Sequence, residues 1–170
     1  RRDELLRKLL STGIRTTPAI KPSARPAHTW PLRLPASDSQ RRLWFIDQMG
    51  VGVKAYYVSA TLMLTGPLDA TMLQRALDAL VQRHESLRTT FVNVEGEPQQ
   101  QIAHEGTFAL HQVDLRGSDV TRRQSLVDEQ RVLEREQSFD VSTGPLMRGR
   151  LLRLADDEHL LLLTVHHIIS

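Results

Sequence analysis

The run Leu160-Leu161-Leu162-Leu163-Thr164-Val165, followed by His166-His167-Ile168-Ile169-Ser170, constrains the fold more than any other segment of this chain. A strand that is apolar at consecutive positions has no polar face to give to water. It belongs inside a sheet whose faces are both covered. Read as one strand over 159–169, the segment carries two adjacent histidines at its end. Side chains alternate across a strand, so His166 and His167 point to opposite faces. At most one of them addresses a given active site, and the other is bonded into the core. Neighbours on opposite faces cannot chelate one ion, and no third ligand is indicated, so no metal is expected.

The rest of the body supplies elements to cover such a strand. Ser37 and Gln40 have capping-box spacing, which predicts a helix to about Met49. Residues 57–64 read as a strand ended by Gly66-Pro67. Asp69 is placed to cap a helix whose apolar stripe is Met72, Leu73, Ala76, Leu77, Leu80 and Val81. Residues 89–94 and 99–103 flank Glu95-Gly96-Glu97-Pro98 as a hairpin. A strand over 108–114 follows, then a long polar helix capped by Ser118 or Asp119 and running to about Glu136. A strand over 146–154 precedes the histidine strand. The pattern is α+β, an α/β sandwich with helices laid on a mostly antiparallel or mixed sheet.

The 170 residues fit one domain, since domains run to roughly 100–200 residues. Lys and Arg number 22 against 20 Asp and Glu, and a net charge of +2 does not suit a dedicated nucleic-acid binder. With no cysteine, disulfides and thiolate chemistry are excluded. No apolar run approaches the about 20 residues that span a bilayer, and no apolar segment follows Arg1-Arg2-Asp3-Glu4 as a signal peptide requires. A cytoplasmic protein without membrane partners is the expectation. The charge is uneven: residues 1–26 hold seven basic and two acidic side chains, and the remainder holds 15 basic and 18 acidic. Leu5, Leu6, Leu9 and Leu10 recur at helical spacing in that basic head, before Pro18, Pro22, Pro26, Pro31 and Pro35. Proline at this density gives an extended linker. Residues 1–34 are therefore read as a basic helix plus linker or docking segment, and 35–170 as the folded body.

Three constellations carry chemistry: Ser37 to Ile46, the segment Arg83-His84-Glu85-Ser86-Leu87-Arg88-Thr89-Thr90-Phe91, and the histidine strand. Arg83 and His84 suit a helix C-terminus, where positive charge is favoured. Arg88, at the opening of a strand, is suited to brace the turn or pair with a distant carboxylate. Together the three resemble the opening motifs of the condensation domain of nonribosomal peptide synthetases. Ser37, Gln40, Arg42, Leu43 and Trp44 match the first motif, with Ser39 and Ile46 as mild departures. Arg83, His84, Glu85, Leu87, Arg88, Thr89 and Phe91 match the second. His166, His167, Ile169 and Ser170 match the third, with Val165 in place of Met, and the chain ends before the Asp-Gly that follows in the family.

The resemblance implies the N-terminal lobe of a chloramphenicol-acetyltransferase-like fold, whose two lobes enclose a tunnel. It implies amide formation between a donor acyl thioester and an acceptor aminoacyl thioester, both carried on phosphopantetheine arms. It also implies that the domain itself binds no cofactor directly. The expected partners are peptidyl or acyl carrier proteins upstream and downstream, and the adenylation domain of the same synthetase. His167 inherits the catalytic role, while His166, Arg83 and Arg88 inherit support of the site. A single lobe is expected to be inactive alone. An ester-forming acyltransferase, an epimerisation domain of the same fold and a non-catalytic docking fragment are the alternatives. A heterocyclisation domain is disfavoured, because it replaces the histidines with carboxylates.

Overall fold

The computed structural model describes residues 29–50 and 52–170. The expected basic helix and most of the expected linker lie outside these residues. Among them, two sheets and three helices form the fold. The larger sheet contains β2 (Tyr57–Thr65), β5 (Ala109–Asp114), β6 (Met147–Arg153) and β7 (Glu158–His166), in the order β2-β7-β6-β5. β7 runs antiparallel to both its neighbours and β5 runs parallel to β6, so the sheet is mixed. The smaller sheet is antiparallel, with β1 (Leu32–Pro35), β4 (Glu97–Ile102) and β3 (Thr89–Val94) in the order β1-β4-β3. The helices are α1 (Asp38–Met49), α2 (Ala70–Arg83) and α3 (Val120–Glu136).

The helices begin where short-range chemistry puts them. Ser37 Oγ accepts the amide of Gln40 at 3.3 Å, and Gln40 Oε1 accepts the amide of Ser37 at 2.9 Å, closing the capping box of α1. Asp69 accepts the amides of Thr71 and Met72 at the start of α2. Asp119, rather than Ser118, caps α3 through the amide of Arg122. Each cap satisfies backbone donors that the helix cannot satisfy internally.

β7 lies between β2 and β6, and Leu160, Leu161 and Leu162 along it are all buried, as its double-sided apolar pattern demands. Leu160 and Leu162 pack with Leu152, Val127 of α3 and Leu115. On the opposite face, Leu163 packs against the cluster of Leu77, Val81 and Phe108 beneath α2. A third cluster joins α1 to the small sheet and to the end of β7 through Trp44, Phe91, Phe139, Val141, Leu146, Ile168 and Ile169.

Two expectations need correction. Leu32–Pro35, which the proline density assigns to the linker, form an edge strand paired with 99–102 of β4. A boundary at residue 34 therefore cuts through an element of the fold. An edge strand tolerates a terminal proline, because its outward amide has no ladder partner to lose. The histidine strand also ends at His166 and not at Ile169: His167–Ile169 form a single 3-10 turn.

Candidate active site

The end of β7 separates the two histidines by burial. His166 is 1% exposed. Its ring sits among Tyr57 and Phe139, with centroids 5.4 and 6.1 Å away. Its Nδ1 accepts the backbone amide of Ile168 at 3.1 Å, so the side chain caps the turn that follows. Among the described residues Nε2 has no hydrogen-bond partner, and Asp47 Oδ1 of α1 lies 3.8 Å from it. Burial, and secondarily the neighbouring His167, push the His166 pKa down to about 4. The ring is therefore neutral near neutral pH. The Asp47 carboxyl is shifted upward, first by burial and then by the charge of Asp140.

His167 is exposed, and its Nδ1 lies 2.6 Å from Ser170 Oγ. The two histidines differ in burial, and strand alternation is not the cause. His167 has left the ladder and opens the 3-10 turn. Ile168 and Ile169 bury themselves in the cluster with Trp44 and Phe91, which pins that turn to the core. Gln40 Nε2 of α1 donates to the carbonyl of Ile168 at 3.4 Å. The first and third sequence constellations thus meet through Gln40 and Ile168, and Asp47, one residue past the first constellation, lies beside His166.

The second constellation supports a different corner. Arg88 ends a 3-10 turn, Glu85–Arg88, instead of opening β3. Its side chain is nearly buried, lies 3.6 Å from Glu85, donates to the carbonyl of Ala103, and stacks 5.4 Å above the ring of Trp30. Arg83 is exposed at the end of α2. Arg88 meets Glu85, Ala103 and Trp30, whereas the histidines meet Tyr57, Phe139, Ile168 and Ser170.

One buried polar group escapes the motifs altogether. Glu134 of α3 accepts from Arg148 Nε at 2.8 Å and from Arg150 Nε at 2.9 Å. Arg148 also donates to the carbonyls of Glu134 and Gln137, the last ones of α3, and lies 3.9 Å above the ring of Phe139. Phe139 in turn is held by Tyr57, whose hydroxyl accepts its amide at 3.0 Å. These contacts build the wall against which His166 packs. The available signal was the pair Arg148 and Arg150, two charged residues at strand spacing on one face of β6.

Residues 33–170 match the family described as Condensation domain. Phosphinothricin tripeptide synthetase PhsC of Streptomyces viridochromogenes is 43% identical over 136 residues, covering 80% of this chain and 12% of that protein. Malpibaldin synthetase of Mortierella alpina is 42% identical over 148 residues, covering 86% of this chain and 3% of that protein. Among solved structures, the starter condensation domain of rhizomide synthetase RzmA superposes with a TM-score of 0.71 at 19% identity, covering 81% of this chain and 34% of that one. The first condensation domain of the calcium-dependent antibiotic synthetase gives 0.66 at 23% identity, covering 82% and 35%. These superpositions carry the fold. The chain spans about a third of the solved domains and a small fraction of the curated relatives.

Proposed function

This chain belongs to the condensation-domain family, and on that premise we propose that it supplies one wall of an amide-forming site, with His167 as the group that meets the acceptor amine. Condensation domains of this family form amide bonds in nonribosomal peptide synthesis. The observation that supports the assignment to His167 is the contrast at the end of β7. His167 is exposed and fixed by Ser170, while His166 is buried, depressed in pKa and committed to the amide of Ile168.

The chemistry asks little of one imidazole. The amine nitrogen of the acceptor attacks the carbonyl carbon of the donor thioester and forms a tetrahedral intermediate. Its C–S bond then breaks, leaving an amide and a thiol. The acceptor attacks as its neutral amine, and one N–H proton must leave nitrogen as the amide forms. A neutral imidazole takes that proton from the tetrahedral adduct and returns it to the departing sulfur, so the ring ends as it began. His166, through the Ile168 amide, sets the turn on which His167 stands. Arg88 braces the helix-to-strand corner through Glu85 and the Ala103 carbonyl, while Arg83 stands exposed at the end of α2.

Both thioesters are carried on phosphopantetheine arms of partner carrier proteins, upstream and downstream, and the adenylation domain of the same synthetase loads the acceptor. No nucleic acid takes part. Among the described residues no helix is long and apolar enough to cross a membrane, and a cytoplasmic setting fits carriers of this kind. A domain in which this chain is joined to a second lobe, mixed with donor- and acceptor-loaded carriers, is expected to give the condensed amide by intact-mass analysis. The chain alone is expected to give none. An acceptor bearing a hydroxyl in place of the amine separates the ester-forming reading: ester product in preference to amide overturns the proposal.

A further inference from the structure

A neutral imidazole has two nitrogens and one ring proton, and the hydrogen bonds around each histidine here decide where that proton sits. In His166, Nδ1 accepts the amide of Ile168 at 3.1 Å, so it is bare. The ring proton is on Nε2, the nitrogen nearer Asp47.

His167 has the opposite inventory. Its Nδ1 lies 2.6 Å from Ser170 Oγ, and the same Oγ lies 3.1 Å from the backbone carbonyl oxygen of His167. A serine hydroxyl has one proton and a carbonyl oxygen can only accept. Were the hydroxyl proton turned to Nδ1, Oγ and the carbonyl would face each other lone pair to lone pair. Given to the carbonyl, the proton leaves Oγ free to accept from Nδ1–H. The result is a relay from ring to hydroxyl to backbone in which each bond polarises the next.

We infer that Ser170 is a positioning residue that holds His167 in the Nδ1–H tautomer, so that the two adjacent histidines are fixed in opposite tautomers. The consequence is chemical. Nε2 of His167 is left with a free lone pair, and the ring meets an incoming amine as a proton acceptor. The alternative tautomer, which free histidine prefers, would present an Nε2–H that can only donate until it is lost. The turn geometry favours the relay, because Ser170 is three residues from His167 and its amide also bonds the His167 carbonyl, at 3.3 Å. This meaning for catalysis rests on the role proposed for His167. The tautomer itself does not.

The test needs no substrate. The full chain is labelled with 15N-histidine and held about two units above the ordinary imidazole pKa of about 6.5, so that imidazoles are neutral. Two-bond 15N–1H correlation spectra then report which nitrogen of each ring is protonated, with His167→Gln and His166→Gln identifying the signals. The expected spectrum shows a protonated Nδ1 in His167 and a protonated Nε2 in His166. Ser170→Ala is expected to return His167 to the Nε2–H pattern while His166 keeps its own, and Ser170→Thr to preserve the original pattern. A wild-type His167 in the Nε2–H form overturns the inference by itself, as does a His167 pattern indifferent to Ser170→Ala. A silent condensation assay of the domain in which this chain is joined to a second lobe, beside the expected spectrum, would instead count against the proposed function alone.

Discussion

At the residue scale, the buried ring of His166 ties stability to pH. Its folded pKa of about 4 lies below the ordinary 6.5, so between those values the unfolded chain binds more protons than the folded one. Its contribution is complete above pH about 6.5 and is lost as the pH falls through about 4. A shift of this size corresponds to roughly 3 kcal/mol. Asp47 works the other way: its raised pKa makes the folded state the better proton binder over its own interval, which offsets some of the acid loss. Urea midpoints measured from pH 7 to pH 4, a range of about three units around those two values, are therefore expected to fall toward acid. In His166→Asn the profile should be flatter, from a lower starting stability. An unchanged slope in that variant would remove His166 from the acid response. Alternation suggested that the two histidines differ in burial; they do, but because His167 starts a 3-10 turn and not because it alternates along a strand. Which bonds fix each ring was not legible, because the strand ends one residue earlier than its apolar pattern does.

At the element scale, the caps of α1, α2 and α3 were readable because Ser37, Asp69 and Asp119 act on amides only two or three residues away. β1 was not, since its pairing with β4 spans more than sixty residues and its own four residues include a proline. The clamp of Arg148 and Arg150 on Glu134 was hidden for the same reason: it joins α3 to β6 through side chains that a linear pattern does not bring together. Removing Glu134 leaves the buried Arg148 guanidinium without its carboxylate. Glu134→Ala should therefore cost about 3–5 kcal/mol in chemical denaturation. Arg150→Ala should cost less than Arg148→Ala, because Arg150 is the more exposed of the two and does not bond the last carbonyls of α3. Equal losses for the two arginines would contradict this division of roles. Gly149, between them, has its own reason to lack a side chain. A Cβ there would sit 2.9 Å from the carbonyl oxygen of Leu162 and 2.9 Å from Leu163 Cδ2. Gly149→Ala forces the β6–β7 pair apart.

At the scale of the whole molecule, β2 is one of the two edge strands of the large sheet, and its apolar residues Val58, Leu62 and Met63 are exposed among the described residues. A long edge strand with apolar side chains invites pairing with another chain. Light scattering should show association that grows with concentration, and Leu62→Lys should reduce it by placing a charge on that edge. A particle mass constant over the concentration range would contradict the reading. The proposed division of labour at the end of β7 gives His166 the turn, through the Ile168 amide, and His167 the amine. The direct test is a single-turnover assay with donor- and acceptor-loaded carriers, using the domain that carries this chain joined to its second lobe, as wild type and as His167→Ala. Loss of a general base predicts a drop in amide formation of about 10²–10⁴-fold with an unchanged melting temperature, as befits an exposed side chain. Turnover at the wild-type rate by a folded His167→Ala would contradict the account.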